Sequence, residues 1–506
     1  MIAYLVISYG YRYVLSKEGN VHLHRTKSAL GQLGCPRNPI KAVLRPPEAD
    51  YGGQGGSMSI QGRIIGIRHR VKQSAEGEAR PTQIAIWKNE GFTSFDLPDE
   101  TAELDWVKGE FPVEYRKAAK DEDLALFKEH QIKWRKVKKT ENIADIPEHM
   151  RKMEEKIWLV ADKVPVRFDG LQAGDTVVMV LGGSGDYFAY ALSRQAEEVG
   201  ASIVRVPPFD LKQFRGEDKT DDAQNLIKLW QQSPHLFREV EPRDRDNIAL
   251  RGFFYRFQDA MKARIACEQR LHQQVIGEAF CRADGLFPEG SIEKAFEALK
   301  ASDKIFEGLE AEEKKRERAM LKHMQTMEVY TQLLEPVVGI GPRIAARLLV
   351  AIGDIRRFAD STRLDGGTTR GSAKLISYFG EDPRGGKLRR RRKGELANWH
   401  NEGRQALYLF ADQCNRRPDS EWGKVLLHYR QVFRAKHPEV ICRTCEEKTG
   451  DEIRWEDCQK KGHKRAYNDG HLLTRAKLRV GNKFLEWLWK EWTKLENRRL
   501  VVKKAA

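Results

Sequence analysis

Residues 175–206 decide the fold, and their sequence is DTVVMVLGGSGDYFAYALSRQAEEVGASIVRV. The apolar run Asp175–Leu181 is typical of a strand buried on both faces, and it ends at the glycine-rich segment Gly182–Gly185. A helix is predicted over 186–199, and Ser202–Val206 is predicted to be a second strand, stopped by the two prolines that follow it. Strand, helix and strand in this order form a βαβ unit, which predicts an α/β domain with parallel strands.

Three more strands are predicted upstream of this unit, at Arg63–Ile67, Gln83–Trp87 and Phe92–Leu97. Each is rich in β-branched or aromatic residues and is bounded by glycine or proline. Residues 115–157 are rich in lysine and glutamate, and we expect them to form a helical insertion exposed to solvent. Residues 1–60 contain short strand-like runs and a glycine-rich stretch, which predicts a β-rich segment whose role the sequence does not indicate.

The chain downstream of residue 240 is predominantly helical. Arg245–Ala279 and Ile292–Leu334 carry apolar residues at helical spacing between dense charges, so two long antiparallel helices are the simplest arrangement. The predicted organisation is α/β plus all-α, with an α/β domain over 61–240, coiled-coil helices over 241–334 and a helical domain over 335–506.

The charge of the chain points to a polyanionic partner. The 506 residues carry a formal net charge of +16, and such a field attracts nucleic acid or an anionic membrane. We expect no membrane association, because no apolar run approaches the length of about 18 residues that a spanning helix needs. Seven cysteines in a chain of this length do not indicate a disulfide framework, so we expect a cytoplasmic protein.

Three carboxylates, Asp218, Asp221 and Asp222, stand close together before and at the start of a predicted helix. Carboxylates three or four residues apart share a helix face and could hold Mg²⁺ together with phosphate oxygens. A two-metal nuclease would also need carboxylates from neighbouring strands. The alternative is an acidic first turn that complements the helix dipole, and the spacing alone favours that alternative.

The segment Gly339-Ile340-Gly341-Pro342-Arg343 opens an amphipathic helix. Backbone N–H groups at a helix N-terminus suit phosphate, which makes Gly339, Gly341 and Arg343 candidate phosphate-binding residues. A tight turn with small residues for close packing explains the same pattern equally well.

A basic tract over 384–393 is the densest run of positive charge. Arginine forks match phosphate oxygens two at a time, and Trp399, His400 and Arg404 follow with groups that can stack on bases. A solvated charge run or a targeting signal is the alternative, but the neighbouring aromatic groups favour nucleic acid. The candidate contacts are Arg384, Lys387, Arg389, Arg390, Arg391, Arg392, Lys393 and Arg404.

Cys442, Cys445, Cys458 and His463 follow the spacing C-x2-C-x12-C-x4-H within an insertion at 440–465. This spacing fits a closed tetrahedral site for a structural zinc ion. The alternative is a set of unligated thiols on a polar loop.

The C-terminal domain resembles a Nop domain, the RNA-binding domain of box C/D small nucleolar RNP proteins. The similarity lies in the segments Leu334–Asp354 and Gly371–Phe379. The domain is shared by the bridge-RNA-guided transposases and by the Tas proteins of TIGR systems. The resemblance implies that Gly371, Ser372, Ala373 and Lys374 contact a kink-turn-like RNA.

The α/β domain is similar to the RNase H-like, RuvC-like nuclease domain of the same transposases. Arg63–Ile67 matches its first strand, and the segments Leu181–Tyr187, Ser202–Val206 and Lys219–Ala223 follow in the same order. The helices over 245–334 match the coiled coil that joins the two domains in that family.

The sequence departs from that nuclease at two acidic positions. The family has an aspartate at the end of the first strand, where this chain has Arg68 and His69, and a glutamate where this chain has Gly182 and Gly183. The transposases also need a serine nucleophile before a glycine, and Pro383–Gly386 offers none. The resemblance therefore implies a degenerate nuclease domain, with Mg²⁺ as a cofactor only if the nuclease is active.

The hypothesis that follows is an RNA-guided DNA-binding protein similar to the Tas proteins. Its partners would be a guide RNA and a target DNA, with homodimerisation through the long helices. Two alternatives stay open: an active metal-dependent nuclease or transposase of the same ancestry, and a structural RNP protein that acts on RNA alone.

Overall fold

The computed structural model describes residues 14–15, 21–22, 62–71, 79–89, 91–216, 218, 220–286, 289–362, 367–383, 388–389, 399–458 and 460–505. The chain divides into two units, Met1–Ser59 and Ile60–Ala506. In the first unit, β1 (Val14–Leu15) and β2 (Val21–His22) pair antiparallel. The rest of the predicted β-rich segment lies outside the described residues.

The second unit contains all other elements. Its strands are β3 (Ile64–Arg68), β4 (Thr82–Lys88), β5 (Gly91–Leu97), β6 (Phe111–Lys117), β7 (Lys133–Lys136), β8 (Arg151–Glu154), β9 (Ile157–Asp169), β10 (Thr176–Val180), β11 (Ser202–Val206), β12 (Arg238–Glu239), β13 (Ser361–Thr362), β14 (Thr368–Thr369), β15 (Ile441–Cys442) and β16 (Arg465–Ala466). Its α-helices are α1 (Glu100–Val107), α2 (Asp186–Val199), α3 (Pro208–Arg215), α4 (Asp222–Gln232), α5 (Pro242–Phe280), α6 (Ile292–Ser302), α7 (Lys304–Met324), α8 (Pro342–Ile352), α9 (Gly371–Tyr378), α10 (Asn401–Arg416), α11 (Glu421–Lys436), α12 (Arg443–Thr449) and α13 (Asp469–Ala505).

A six-stranded mixed sheet has the order β12-β11-β10-β3-β4-β5. Strand β10 pairs parallel with both β3 and β11, while β3, β4 and β5 form an antiparallel meander. The predicted βαβ unit is present as β10, α2 and β11, and Gly200 ends α2 in the left-handed conformation with φ +78°. The three strands predicted upstream are β3, β4 and β5, with ends shifted by at most one residue.

Helices cover both faces of this sheet, which is why its central strands are apolar throughout. On one face Trp106 of α1 and Leu192 of α2 are buried, and on the other face Leu226 and Ile227 of α4 are buried. Helix α4 lies directly on β3, because a Cβ at Gly66 would overlap the carbonyl oxygen of Ala223. Glycine at this position therefore sets the distance between the helix and the sheet.

The prediction of a helical insertion over 115–157 is wrong. The segment forms β7, β8, the last residues of β6 and the first residue of β9, with short 3₁₀ turns between them. The 13-residue strand β9 pairs antiparallel with β6, β7 and β8 in a four-stranded sheet. Lysine and glutamate favour helix in isolation, but pairing with a long strand of alternating apolar residues overrides that preference.

The predicted long antiparallel helices are present, with a break in the second one. Helix α5 packs against α6 and α7, which are separated by the N-cap residue Asp303. Arg264 pairs with Glu313 while His323 contacts the carbonyl oxygen of Asp246, so residue numbers rise on one helix as they fall on the other. In the part of the chain that the structure describes, no helix combines the length and apolar character that crossing a bilayer requires.

The core of the C-terminal domain does not stop at the predicted boundary of residue 334. Its largest buried cluster includes Phe254 of α5 and Met320 of α7 together with Phe410 of α10 and Phe484 of α13. The long helices and the C-terminal domain therefore share one hydrophobic core. The aromatic run 484–492 of α13 also contributes to this core.

Candidate nucleic-acid interface and metal centre

The N-terminal end of α9 carries the candidate RNA-contacting residues Gly371 to Lys374. Gly371 is buried, its N–H donates to Asp360 Oδ1 at 2.7 Å, and a Cβ on it would lie 2.6 Å from Trp489 Nε1. That indole N–H donates to the carbonyl oxygen of Phe358 at 2.9 Å. Gly371 thus holds the helix against α13 through close packing and offers no side chain to a ligand.

The next residues of α9 reach the surface. Ala373 is exposed, and Ser372 and Lys374 are half-buried. Lys374 Nζ donates to the carbonyl oxygen of Ala359 at 2.7 Å, which uses one of the three N–H donors of the ammonium group. The surface at this end of α9 therefore presents a fixed positive charge beside an exposed turn of helix.

The C-terminal end of α9 holds two arginines of the predicted contact set. Arg389 donates to the carbonyl oxygen of Ser377 at 2.5 Å and pairs with Asp382. Arg404 donates to the carbonyl oxygen of Arg389 at 2.8 Å, and its guanidinium lies 5.1 Å from the ring centroid of Trp399. The basic tract is therefore anchored next to α9 at its described residues.

The remaining cations of the tract lie outside the described residues, and these are Arg384, Lys387, Arg390, Arg391, Arg392 and Lys393. They are flanked in the sequence by Glu381 and Asp382 on one side and by Trp399 on the other. The described flanks on both sides lie at the C-terminal end of α9, the helix that carries Gly371 to Lys374.

A buried carboxyl lies beneath this region. Glu381 is 7% exposed, and burial raises its pKa to about 7, opposed by Arg404 and reinforced by Asp382. The carboxylate oxygen lies 3.5 Å from Arg404 Nε. Sequence reasoning missed this residue, and its acidic character directly before a basic tract was the available signal.

At the start of α8, the arginine of the predicted phosphate site is paired with carboxylates of the protein itself. Arg343 donates two hydrogen bonds of 2.6 Å to Glu317 and lies 3.2 Å from Glu313. Gly339 has a φ of +101°, and Gly341 is the N-cap residue of α8. This geometry favours the tight-turn interpretation of the segment.

The acidic residues before α4 do not converge. Asp222 forms an ion pair of 2.7 Å with Arg215, and both side chains are largely buried. Asp218 is exposed and accepts a hydrogen bond from the Thr220 N–H, while Asp221 occupies the N-cap position of α4. Over the described residues, no group of three acids at this position could hold a metal ion.

Arg68 and His69 fill the end of β3. Arg68 donates to the carbonyl oxygen of Pro81 at 3.2 Å, and its charge lies close enough to Asp222 to interact with it. The His69 ring lies 3.2 Å from Glu103 and 2.9 Å from the Ser184 hydroxyl. The end of β3 is therefore basic, and the nearby carboxylates of Glu103 and Asp222 are paired with basic side chains.

A second arginine–aspartate network lies at the ends of β10 and β11, beside a cavity of about 270 Å³ that reaches the C-terminal domain. Asp186 accepts from Arg205 at 2.9 Å and from Arg251 at 2.8 Å. Arg356 bridges Asp244 and Asp354 on the other side. Sequence reasoning missed Arg205, although an arginine inside an apolar strand is a clear signal of a buried partner.

Cys442, Cys445, Cys458 and His463 meet in space, as their spacing predicted. The His463 Nδ1 atom lies 3.3 Å from the Cys442 sulfur, 3.5 Å from Cys445 and 3.4 Å from Cys458. The Cys445 and Cys458 sulfurs are 3.7 Å apart. Four ligand atoms at these distances could bind one metal ion.

Local backbone geometry forms this cluster. Strand β15 places Cys442 opposite Arg465 of β16, and α12 begins directly after it and carries Cys445. Burial raises the pKa of Cys442, but hydrogen bonds from the Cys445 backbone, Cys458 and His463 outweigh it and lower the pKa to about 6. The cluster therefore favours the thiolate at Cys442, which is the form that binds metals, while the hydrogen bond with Cys442 raises the pKa of Cys445 to about 11.

No protein-family model and no curated protein matches the chain. The arguments for a function therefore come from the site residues themselves.

Proposed function

We propose that this chain binds a structured guide RNA through its helical C-terminal domain and uses that RNA to recognise DNA. The observation that carries the proposal is the position of α9. One short helix presents Lys374 at its N-terminal end, and Arg389 of the basic tract and Arg404 lie at its C-terminal end. This arrangement supports the Nop-like character of the domain.

Arginines beside aromatic rings suit RNA better than regular DNA duplex. Trp399 lies under the Arg404 guanidinium, and Tyr378 lies 5.4 Å from His400 and 4.8 Å from the Arg357 guanidinium. Unpaired bases of loops and kinks stack on such groups, while arginine forks bind the phosphates around them. Base pairing of the guide would then select the DNA, as in other RNA-guided proteins.

The α/β domain supports an RNase H-like scaffold that does not cut. A mixed sheet with its first strand in the centre fits that fold. Metal-dependent cleavage needs several carboxylates around Mg²⁺, and here Asp222 is paired with Arg215, while Arg68 brings positive charge to the end of β3. We therefore propose that the domain positions nucleic acid without hydrolysing it.

The sulfur cluster fits a structural zinc ion. Bonds of about 2.3 Å to sulfur and about 2.05 Å to nitrogen give tetrahedron edges of about 3.8 Å between sulfurs and about 3.6 Å from sulfur to nitrogen. The observed sulfur–sulfur distance is 3.7 Å, and the three sulfur–nitrogen distances are 3.3, 3.5 and 3.4 Å. A closed set of four protein ligands leaves no position for a substrate, so the ion would stabilise the insertion.

The test compares two variants of equal charge. Arg390→Gln/Arg391→Gln/Arg392→Gln removes three cations of the tract, and Lys304→Gln/Lys314→Gln/Lys315→Gln removes three exposed cations of α7. RNA that copurifies with the wild-type protein is expected to be lost from the first variant and kept by the second. Equal RNA content in both variants contradicts the proposed site.

An active nuclease is the second candidate. It is favoured by the position of Asp222 on α4, the helix that lies against β3. Guide RNA, matched DNA and Mg²⁺ are incubated with the wild-type protein and with Asp222→Asn. We expect intact DNA in both reactions. Cleavage that the substitution abolishes would establish the nuclease and overturn the scaffold assignment.

We also propose a homodimer through the long helices. Phe280, Leu286 and Ile305, which lie in or between α5 and α7, are each more than 60% exposed, and burial against a second copy would remove their apolar surface from water. Light scattering of the RNA-bound protein is expected to give twice the chain mass, and a single-chain mass would reject the dimer.

Competition between a DNA target and an RNA target distinguishes the proposed function from that of a structural RNP protein that acts on RNA alone. Matched DNA and matched RNA are offered to the guided complex at equal concentration. We expect DNA to be retained, and exclusive retention of RNA would favour the structural role.

A further inference from the structure

Three lysines lie side by side on the sheet formed by β6, β7, β8 and β9. Lys163 of β9 is directly opposite Lys117 of β6 on one side and Lys133 of β7 on the other. Residues directly opposite each other in a ladder project from the same face. With strands about 4.8 Å apart, these lysines form a row of about 10 Å across three strands.

The charges of this row have no acidic partner among the described residues. Like charges directly opposite each other destabilise a sheet. All three lysines are exposed, and within the described residues no carboxylate lies within ion-pair distance of any of them. Four other cations of the same sheet have acidic partners, in the pairs Arg116–Glu122, Arg135–Glu141, Lys152–Glu129 and Arg167–Glu114, while Lys136 and Arg151 have none among the described residues.

Protection against edge-to-edge aggregation can account for Lys117 and Lys133, which lie on the edge strands β6 and β7, but it does not account for Lys163. Lysines serve that purpose on edge strands, where backbone groups are unpaired. Lys163 lies on β9, which is paired on both sides where the row crosses it. The row therefore has the properties of a surface whose counter-charge is supplied by a ligand.

An aromatic ring adjoins the row. Tyr115 lies two residues before Lys117 on β6, and Lys133 Nζ lies 3.9 Å from its ring centroid. This contact places the ring on the face that carries the lysines. Cations that follow a phosphate backbone, next to an aromatic ring that can stack on a base, are the combination that binds single-stranded nucleic acid.

We propose that this face binds single-stranded nucleic acid, with phosphates along Lys117, Lys163 and Lys133 and a base against Tyr115. The inference rests on the proposed function in that the chain handles nucleic acid, and it adds a second surface that takes an unpaired strand. A duplex presents phosphates but hides its bases, so it would leave Tyr115 without a role.

The test measures anisotropy of a fluorescein-labelled oligothymidine strand of about 20 nucleotides over a series of salt concentrations. The variant Lys117→Gln/Lys133→Gln/Lys163→Gln is compared with Lys120→Gln/Lys138→Gln/Lys139→Gln, which removes equal charge from exposed loops of the same insertion. Affinity of the row variant is expected to fall on the order of 100-fold at low salt, and its salt slope by about 2. The loop variant should change affinity by less than about threefold.

A third variant separates stacking from charge. Tyr115→Ala is expected to weaken binding about tenfold and to leave the salt slope unchanged, because it removes no phosphate contact. The melting temperature of the row variant should equal or exceed that of the wild type, since the substitution removes repulsion between neighbouring lysines.

Several results would overturn the inference. These are absence of oligothymidine binding by the wild-type protein, equal losses in the row and loop variants, an equal loss for a DNA duplex, and binding of phosphatidylserine vesicles in place of the strand. The copurifying RNA of the row variant is measured in parallel and should be unchanged. Loss of that RNA from the tract variant tests the guide function separately, so one proposal can fail while the other stands.

Discussion

The residues at 442–463 form the most specific chemical group in the chain. Two cysteines come from a strand and the helix that follows it, and the third cysteine and the histidine come from the loop before the next strand. The three sulfurs and the histidine nitrogen lie within 4.8 Å of one another. Thiolates at such distances would repel one another without a cation between them. A metal bound here would therefore stabilise the local fold of residues 440–465.

The first prediction concerns the metal content. Purified wild-type protein should contain about one zinc ion per chain by elemental mass spectrometry, and Cys442→Ser should contain almost none because a tetrahedral site loses one of its four ligands. Cys281→Ser is the matched control, since Cys281 is exposed and lies outside the cluster. A wild-type preparation without zinc, or equal zinc in all three proteins, would reject the site.

A second prediction at this scale concerns pH. The pKa of Glu381 is raised from 4.5 to about 7 by burial, so the folded state keeps a proton that the unfolded state releases. The contribution of this group to stability is therefore present below pH 4.5 and is lost as the pH rises through 7, to the extent of about 3 kcal/mol. Glu381→Gln cannot ionise and escapes this loss.

The measurement is chemical denaturation of both proteins at two pH values. Glu381→Gln should have a higher free energy of unfolding than the wild type at pH 8, and the two proteins should have similar free energies of unfolding at pH 4.5. A stability difference that does not change with pH would mean that Glu381 does not carry its proton in the folded protein.

Among the elements, α9 connects packing with the proposed RNA contact. Its first residue, Gly371, lies against the carbonyl oxygen of Phe358 and the indole of Trp489. A Cβ there must displace the helix or the tryptophan. The position of Lys374, one turn along α9, therefore depends on a glycine that itself touches no ligand.

The third prediction follows from this packing. Gly371→Ala should lower the free energy of unfolding by about 2 to 4 kcal/mol and weaken RNA binding through displacement of α9. Gly308→Ala is the control, because nothing lies within 4 Å of a Cβ at that position of α7 and alanine should stabilise the helix by about 1 kcal/mol. If Gly371→Ala has the same free energy of unfolding as the wild type in urea denaturation, close packing at Gly371 does not hold α9 in place.

The elements also show where sequence patterns succeed and where they fail. The apolar runs at β10 and β11 and the glycine that ends α2 predicted the βαβ unit, because local residue types determine such short-range structure. Residues 115–157 were predicted to be helical from their charge, yet their strands form through pairing with β9. The short strands β7 and β8 carry mostly charged residues and no alternating apolar pattern, and only the partner strand decides the outcome.

The candidate site was predictable to different degrees. Cysteine and histidine spacing gave the four ligands, because a metal site imposes its own spacing on the chain. The ion pairs of Arg343 and Asp222 were not predictable, since Glu317 and Arg215 reach them only through tertiary packing. The lysine row was equally hidden, because it depends on the register of three strands.

In the molecule as a whole, the long helices and the C-terminal domain share one core, while the ends of β3, β10 and β11 carry arginine–aspartate pairs. The chain thus combines an excess of 16 positive charges with an acidic residue near β3, Asp222, that is paired with an arginine. A basic protein with this architecture is expected to retain nucleic acid and not to cut it.

The most direct test of this account is the sequencing of RNA that copurifies with the full-length protein, after crosslinking by ultraviolet light. The account predicts one class of folded RNA, with crosslinked peptides concentrated in residues 367–404, and the loss of that RNA from Arg390→Gln/Arg391→Gln/Arg392→Gln. Protein that is free of nucleic acid and shows no affinity for RNA would contradict it.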